Sequence, residues 1–302
     1  MKTINKIIIK IFAICIILVI LNYLWINSFY LVTKKHYKIW TKIPDIENGY
    51  VPQGFCYLEK HNLILQTSYS KKSPSKIYII DFTNGNVIKD LTLKDVDNND
   101  LYIHAGGVAS DEDKIWICGD NSLYVFDFSD VLTTNDNHIL STKKIDFPIH
   151  TDFCYYYNNK NILWVGEFKK PFDKKITPYI LGYSLENSEN IEDTENPNYK
   201  IEIPSMVQGF CIDDNNNFIF SRSYSGFILS SLDIYENMQD LSSEPGTNYS
   251  YKNFKKISHT KILPMSEGIF FKDNKFYVLF ESGAKRYLYA FPKIKNYLIF
   301  NI

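Results

Sequence analysis

Five short segments of this 302-residue chain carry one local pattern, and that repetition limits the fold more than any other feature. Gln53-Gly54-Phe55-Cys56, Gly106-Gly107-Val108-Ala109, Thr151-Asp152-Phe153-Cys154, Gln208-Gly209-Phe210-Cys211 and Glu267-Gly268-Ile269-Phe270 share a register. Its key position falls at 54, 107, 152, 209 and 268, so successive spacings are 53, 45, 57 and 59 residues. Periods of this size mark supersecondary units that bury a core by stacking on their neighbours. Each unit continues with a polar turn, as at Asp111-Glu112-Asp113, and an apolar second strand, as at Ile115-Trp116-Ile117. A third strand follows, as at Lys76 to Phe82, and a fourth precedes the next register point.

Four strands repeated five times predict an all-β chain forming a five-bladed β-propeller. The 23 Tyr and 21 Phe agree, because aromatic rings suit a pleated, half-buried surface. Tyr37 to Pro44 resembles the fourth strands at Lys200 to Pro204 and Thr260 to Pro264, yet no unit precedes it. Asn296 to Ile302 resembles a third strand without a fourth. Pairing the early strand with the late unit would close the ring and leave no open edge there. A six-bladed ring is the alternative, if 186–204 or 237–262 holds another unit. The polar insertions Asn187 to Asn198 and Glu236 to Asn253 fall between third and fourth strands and are expected on the lower face. No second globular domain is expected.

Ahead of the repeats, Ile11 to Tyr30 is a run of 20 uncharged residues preceded by Lys2, Lys6 and Lys10. That length spans a bilayer as a helix. With no small-x-small cleavage site after it, an uncleaved signal-anchor is expected. The chain therefore divides into a transmembrane segment, 1–36, and a propeller, 37–302. Large C-terminal domains translocate largely regardless of flanking charge, so a single-pass protein with its propeller outside the cytoplasm is expected. A net charge of −1 argues against a nucleic-acid partner. Cys56, Cys154 and Cys211 recur at one repeat position, which reads as an apolar packing site rather than a disulfide framework.

In such a ring the first strands begin, and the second strands end, around the mouth of the central channel. Those positions here are all polar. The first-strand starts are Gln53, His104, His150 with Asp152, Gln208 and Glu267; the second-strand ends are Ser68, Asp120, Glu167, Arg222 with Ser223, and Glu281. His104, His150, Asp152 and Glu267 combine imidazoles and carboxylates, a donor set suited to a divalent metal ion. Asp152, Glu167, Glu267 and Glu281 offer carboxylates for general acid and base roles. Gln53, His104, His150, Gln208, Arg222 and Asp120 are the candidate ligand-binding groups. Two functions follow. One is binding of a small polar ligand or an envelope protein in the funnel; the other is hydrolysis, metal-assisted on an ester or lactone or carboxylate-driven on a glycan. No P-loop, dinucleotide fingerprint or nucleophile elbow is present.

Tyr102 to Ala109, Val207 to Phe210 with Ser221 to Tyr224, and Pro264 to Ile269 with Leu279 to Gly283 resemble a group of secreted or membrane-anchored bacterial β-propeller proteins. That resemblance implies fold and compartment. The Glu267-Gly268 step is also similar to the SMP-30/gluconolactonase type of propeller, where such a glutamate contributes a metal ligand. That type has six blades and uses Asn and Asp as further ligands, which find no counterpart positions here.

Overall fold

The structure is a computed structural model that describes residues 2–173, 177–185, 191, 193–236 and 247–301. Among these residues the strands form five sheets, each led by one of the five repeat segments. Blade 1 is built from Val51–Leu58, Leu63–Tyr69, Lys76–Asp81 and Val87–Lys94. Blade 2 uses Val108–Ser110, Lys114–Gly119, Ser122–Asp127 and Lys143–Asp146; blade 3 uses Phe153–Tyr157, Ile162–Gly166, Tyr179–Ser184 and Tyr199–Glu202. Blade 4 comprises Val207–Ile212, Phe218–Arg222, Ser230–Tyr235 and Lys256–Ile262. The stretches at 186–204 and 237–262 thus supply fourth strands to blades 3 and 4, and the ring has five blades rather than six. The expected insertions Asn187 to Asn198 and Glu236 to Asn253 lie partly outside the described residues.

Blade 5 joins the two ends of the propeller. Ser266–Lys272, Lys275–Phe280 and Asn296–Phe300 form its inner three strands, and Tyr37–Lys42 pairs antiparallel with the last of them. Tyr37 faces Phe300 and Ile39 faces Leu298 across that closure. Trp40 then packs on Phe82, Tyr277 and Tyr297, at the seam between blade 5 and blade 1.

The core is five wedges, one per seam between blades. Large rings fill them, with Phe55 against Phe270, Trp116 against Tyr156, and Tyr155 against Phe210. Nearer the axis the wedges narrow, and there the repeat glycines stand. A Cβ on Gly107 would come within 2.5 Å of the Cys154 nitrogen, and one on Gly268 within 2.8 Å of the Gln53 oxygen. In each case the obstacle is the inner strand of the next blade, so the register glycine is what lets neighbouring strands meet at the axis. Blade 3 departs from this, with Asp152 at the same position.

Two blades gain a fifth, parallel strand from their successor. His138–Leu140, ahead of the blade 2 outer strand, covers the edge of blade 1, and Asn248–Ser250 covers the edge of blade 3. Covered edges remove templates for intermolecular strand pairing.

The N-terminal helix, Lys2–Thr33, contains a 30-residue segment, Ile4–Thr33, long and apolar enough to cross a membrane. It is longer than the expected run, and its last turns lie on the propeller. Ile26 is buried, and Phe29 and Tyr30 pack against the seam of blades 4 and 5. All five cysteines are free, with Cys118, Cys154 and Cys211 buried, Cys56 half-buried and Cys15 exposed on the helix.

Candidate functional site

The upper face is the end at which inner strands begin and second strands finish. In three blades the inner strand starts with a register break: between Pro52 and Phe55, between Val207 and Gly209, and between Ser266 and Ile269. Gln53, Gln208 and Glu267 sit inside those breaks. A bulge takes a residue out of the pairing ladder and re-aims its side chain, here toward the mouth. Ahead of two of them, Met206 and Met265 adopt positive φ of 69° and 65°, a strained conformation for residues with a side chain. The Met265 carbonyl accepts a hydrogen bond from the Glu281 nitrogen at 3.0 Å, which fixes the end of the second strand beside the start of the first. That contact puts Glu281 next to Glu267.

Glu267 is almost wholly buried, and Glu281 is half-buried. Burial, the adjacent Glu281 carboxylate with its hydrogen bond, and then Asp152 from blade 3 push Glu267 well above the usual carboxylate range. Burial also raises Glu281, to about 7, against the opposing pull of hydrogen bonds from Tyr287, Glu267 and Gln53 and the charge of Arg286. The Tyr287 hydroxyl donates to Glu281 Oε2 at 2.6 Å, and Gln53 Nε2 donates to the same oxygen at 3.3 Å. Arg286 Nη1 donates to the Tyr69 hydroxyl, and the Tyr69 ring lies 4.5 Å from the His104 imidazole. Two carboxyls this close do not both ionise readily, so the pair favours a state in which Glu267 is protonated. It then offers a donor and an acceptor at fixed positions, beside two phenols and a guanidinium.

A second cluster occupies the blade 3 side of the mouth. Asp152 Oδ2 accepts from the Phe168 nitrogen at 2.7 Å. Burial raises its pKa, with the Phe168 hydrogen bond, His150 and Lys169 opposing and Glu167 reinforcing. Glu167 is buried, accepts from the Tyr179 nitrogen at 3.1 Å, and pairs with Lys169 at 3.3 Å. With His150 and Lys169 it lines a cavity of about 500 Å³.

Several expected site residues are placed elsewhere. Arg222 is turned from the mouth: its Nη1 pairs with the buried Asp233 at 2.7 Å, and its Nε donates to the Ser205 carbonyl. Asp233 also binds Lys256 at 2.8 Å and His259 at 2.5 Å. Asp120 and His150 are exposed and Gln208 is half-buried. His104 is open to solvent on one side, yet the surrounding walls desolvate its ring enough to lower its pKa against the pull of Asp120. The expected metal set is not assembled. Among the described residues no three His, Cys, Asp or Glu side chains converge as metal ligands: His104 enters from blade 2, His150 and Asp152 from blade 3, and Glu267 from blade 5.

Tyr69, Arg286 and Tyr287 belong to the site and were not among the expected residues. Tyr69 ends the second strand of blade 1, a position at which polar residues were already expected. Arg286 and Tyr287 lie in the loop between Phe280 and Asn296, which joins second to third strand in blade 5 and is longer than the corresponding loop of any other blade.

No protein-family model matches the sequence, and neither does any curated protein. Among solved structures, the chain is similar to Myxococcus xanthus glutaminyl cyclase, at 8% identity and a TM-score of 0.48 over 81% of this chain and 91% of that one. It is also similar to a chain of a mitotic checkpoint complex, at 8% identity and a TM-score of 0.43 over 85% and 76%. A chain from the outer coat vertex of COPII on membranes shows 10% identity and a TM-score of 0.42 over 76% of this chain and 54% of that one. At these identities the likenesses bear on no residue of the site, and the functional reading stands on the propeller's own geometry.

Proposed function

We propose that the chain is a single-pass, membrane-anchored propeller, with its ring outside the cytoplasm, that binds a small polar ligand at the upper mouth. The observation supporting this is the buried Glu267–Glu281 pair, in which Tyr287 and Gln53 donate to Glu281 and the charge of Arg286 acts on it. Such a pair can both donate and accept hydrogen bonds from a largely buried position, where polar complementarity discriminates strongly between ligands. A recessed pair suits a small molecule better than the flat surface of an envelope protein.

A second reading has its own observation. Glu281, raised to about 7, is poised near the pKa at which a general base works best at neutral pH. Hydrolysis of an ester or lactone, with the pair exchanging its proton, fits this geometry. A glycan hydrolase fits it less well, because carboxyls that share a hydrogen bond stand closer than the roughly 5 Å or more used by glycosidases. Metal assistance would need ligands beyond Glu267 and its neighbour.

The test uses the full chain in detergent micelles, screened by thermal shift against sugars, amino acids, hydroxy acids and lactones. One class raises the wild-type midpoint and fails to do so for folded Glu267→Gln and Glu281→Gln variants. Product release from a lactone or ester, rising through pH 7 and lost in Glu281→Gln, selects the hydrolase. Neither shift nor turnover with any class contradicts both readings. Metal analysis of the purified chain and of Glu267→Ala decides the metal-assisted form, and protease accessibility on intact cells decides the compartment.

A further inference from the structure

The N-terminal helix does not leave the propeller at random. Its final third descends along the outer side of blades 4 and 5, where Phe29 and Tyr30 pack near Tyr37 and Phe300 at the lower end of the closure strands. Higher up, Asn22 Nδ2 donates to the Phe227 carbonyl at 3.1 Å, and the Tyr23 ring lies 4.4 Å from Phe291. Phe227 and Phe291 belong to upper-face loops, which join second to third strands in blades 4 and 5. The unbroken helix therefore continues past the upper face. Its remaining segment, Ile4 to Leu21, is exposed throughout. At 1.5 Å per residue those residues reach about 27 Å, close to the hydrocarbon thickness of a bilayer.

The rim beside that segment is apolar. Leu288 is 87% exposed, Phe172 79% and Tyr289 53%, and Phe227 and Ile228 are also exposed. Three ring pairs mark the rim between blade 3 and the helix: Phe172 meets Tyr224, Phe227 stacks on Tyr289 at 5.5 Å, and Phe291 meets Tyr23. Exposed Lys170, Lys285, Arg286 and Lys293 are interspersed with it. Aromatic rings among long cationic side chains are what a membrane–water interface favours. The far side of the upper face, over blades 1 and 2, has no such aromatic rim; there exposed Asp97 and Asp120 stand with exposed Lys71 and Lys72, and Asp100 and Asp146 pair with Lys94 and Lys144.

We propose that the upper rim of blades 3 to 5 rests on the headgroup layer of the membrane that the helix crosses, so the Glu267–Glu281 site opens toward that layer. This rests on the anchored reading above. Arg286 and Tyr287, which line the site, are followed at once by Leu288 and Tyr289 of the rim. A ligand would thus reach the pair from among lipid headgroups, and its class would be an amphiphile with a polar head.

The test places an environment-sensitive dye on Leu288→Cys, and separately on Phe172→Cys, in a full-length Cys15→Ser background. The protein is reconstituted in phosphatidylcholine vesicles carrying lipids brominated high on the acyl chain, with and without phosphatidylglycerol. A lower-face label at Asn159→Cys is the reference. Blue-shifted emission and loss of most intensity at both rim positions, stronger with phosphatidylglycerol, with no change at Asn159, is the expected result. A chain that floats with the vesicles while its rim labels behave like Asn159, as they would under a protein partner's footprint, overturns the docking and leaves the anchor standing. A chain that does not float with the vesicles overturns the anchor and the docking together. Failure of every polar ligand in the thermal-shift screen would bear on the site alone.

Discussion

Because Glu267 and Glu281 face each other in a buried site, ionising both sets two negative charges side by side in a poor solvent. An acid whose pKa is higher in the folded chain than in the unfolded one binds protons better when folded. Stability is therefore greatest below the ordinary glutamate pKa, falls as pH rises from about 4.5, and levels off once the folded group has ionised. For Glu281 that is near pH 7. A shift of this size corresponds to roughly 3 kcal/mol at most. Glu281→Gln should flatten the decline and raise the thermal midpoint at pH 8 relative to wild type, measured by intrinsic fluorescence of the full chain in detergent. An unchanged pH slope would contradict the burial of a shared proton. Asp233 acts in the opposite sense. Burial raises it, but Lys256 and Arg222 outweigh burial and hold it below the usual range, so its contribution is lost only as pH falls below about 4. The two effects occupy separate pH windows and are separable in one titration.

At the scale of the blade, the register glycines and the closure strand carry the ring. Gly107→Ala would force a Cβ against the Cys154 backbone, which cannot yield as a side-chain tip could, and should cost on the order of 3 kcal/mol. Tyr37→Ala removes a buried ring from the closure and should cost a similar roughly 3 kcal/mol, with faster proteolysis of blade 5 as a second readout. An unaffected midpoint in either variant would contradict the corresponding account. These same features made the fold legible in sequence. A glycine is demanded wherever inner strands meet, so the repeat shows through diverged loops, and the orphan strands at Tyr37 and Asn296 declare their pairing. The three-residue edge strands His138–Leu140 and Asn248–Ser250 were not legible, because each is defined by an edge in the preceding blade rather than by its own sequence. The site was half legible. Gln53, Glu267 and Glu281 follow from strand ends, whereas Arg286 and Tyr287 come from a connecting loop whose length varies from blade to blade. Arg222 was placed correctly along the chain, but Asp233 on the adjacent strand takes its charge away from the mouth. The two histidines expected to share a metal stand ahead of separate blades, 2 and 3, and among the described residues neither belongs to a cluster of three ligands.

For the whole molecule, the helix and the ring form one device. The helix grips the flank of blades 4 and 5 and rises past the upper face, which in the proposed docking lies against the bilayer, while the loops of the same face carry both the apolar rim and the groups around the carboxyl pair. Ligand access, proton balance and orientation then depend on one surface. The reading of the site turns on Glu267 and Glu281 keeping a proton between them at neutral pH. Infrared difference spectroscopy of the full chain, titrated from pH 5 to 9 in the protonated-carboxyl region, measures that directly. The account predicts a protonated-carboxyl band that persists above pH 6, changes near pH 7, and is lost or displaced in both Glu267→Gln and Glu281→Gln. A wild-type spectrum with no protonated carboxyl above pH 6, or a band indifferent to both substitutions, would contradict it.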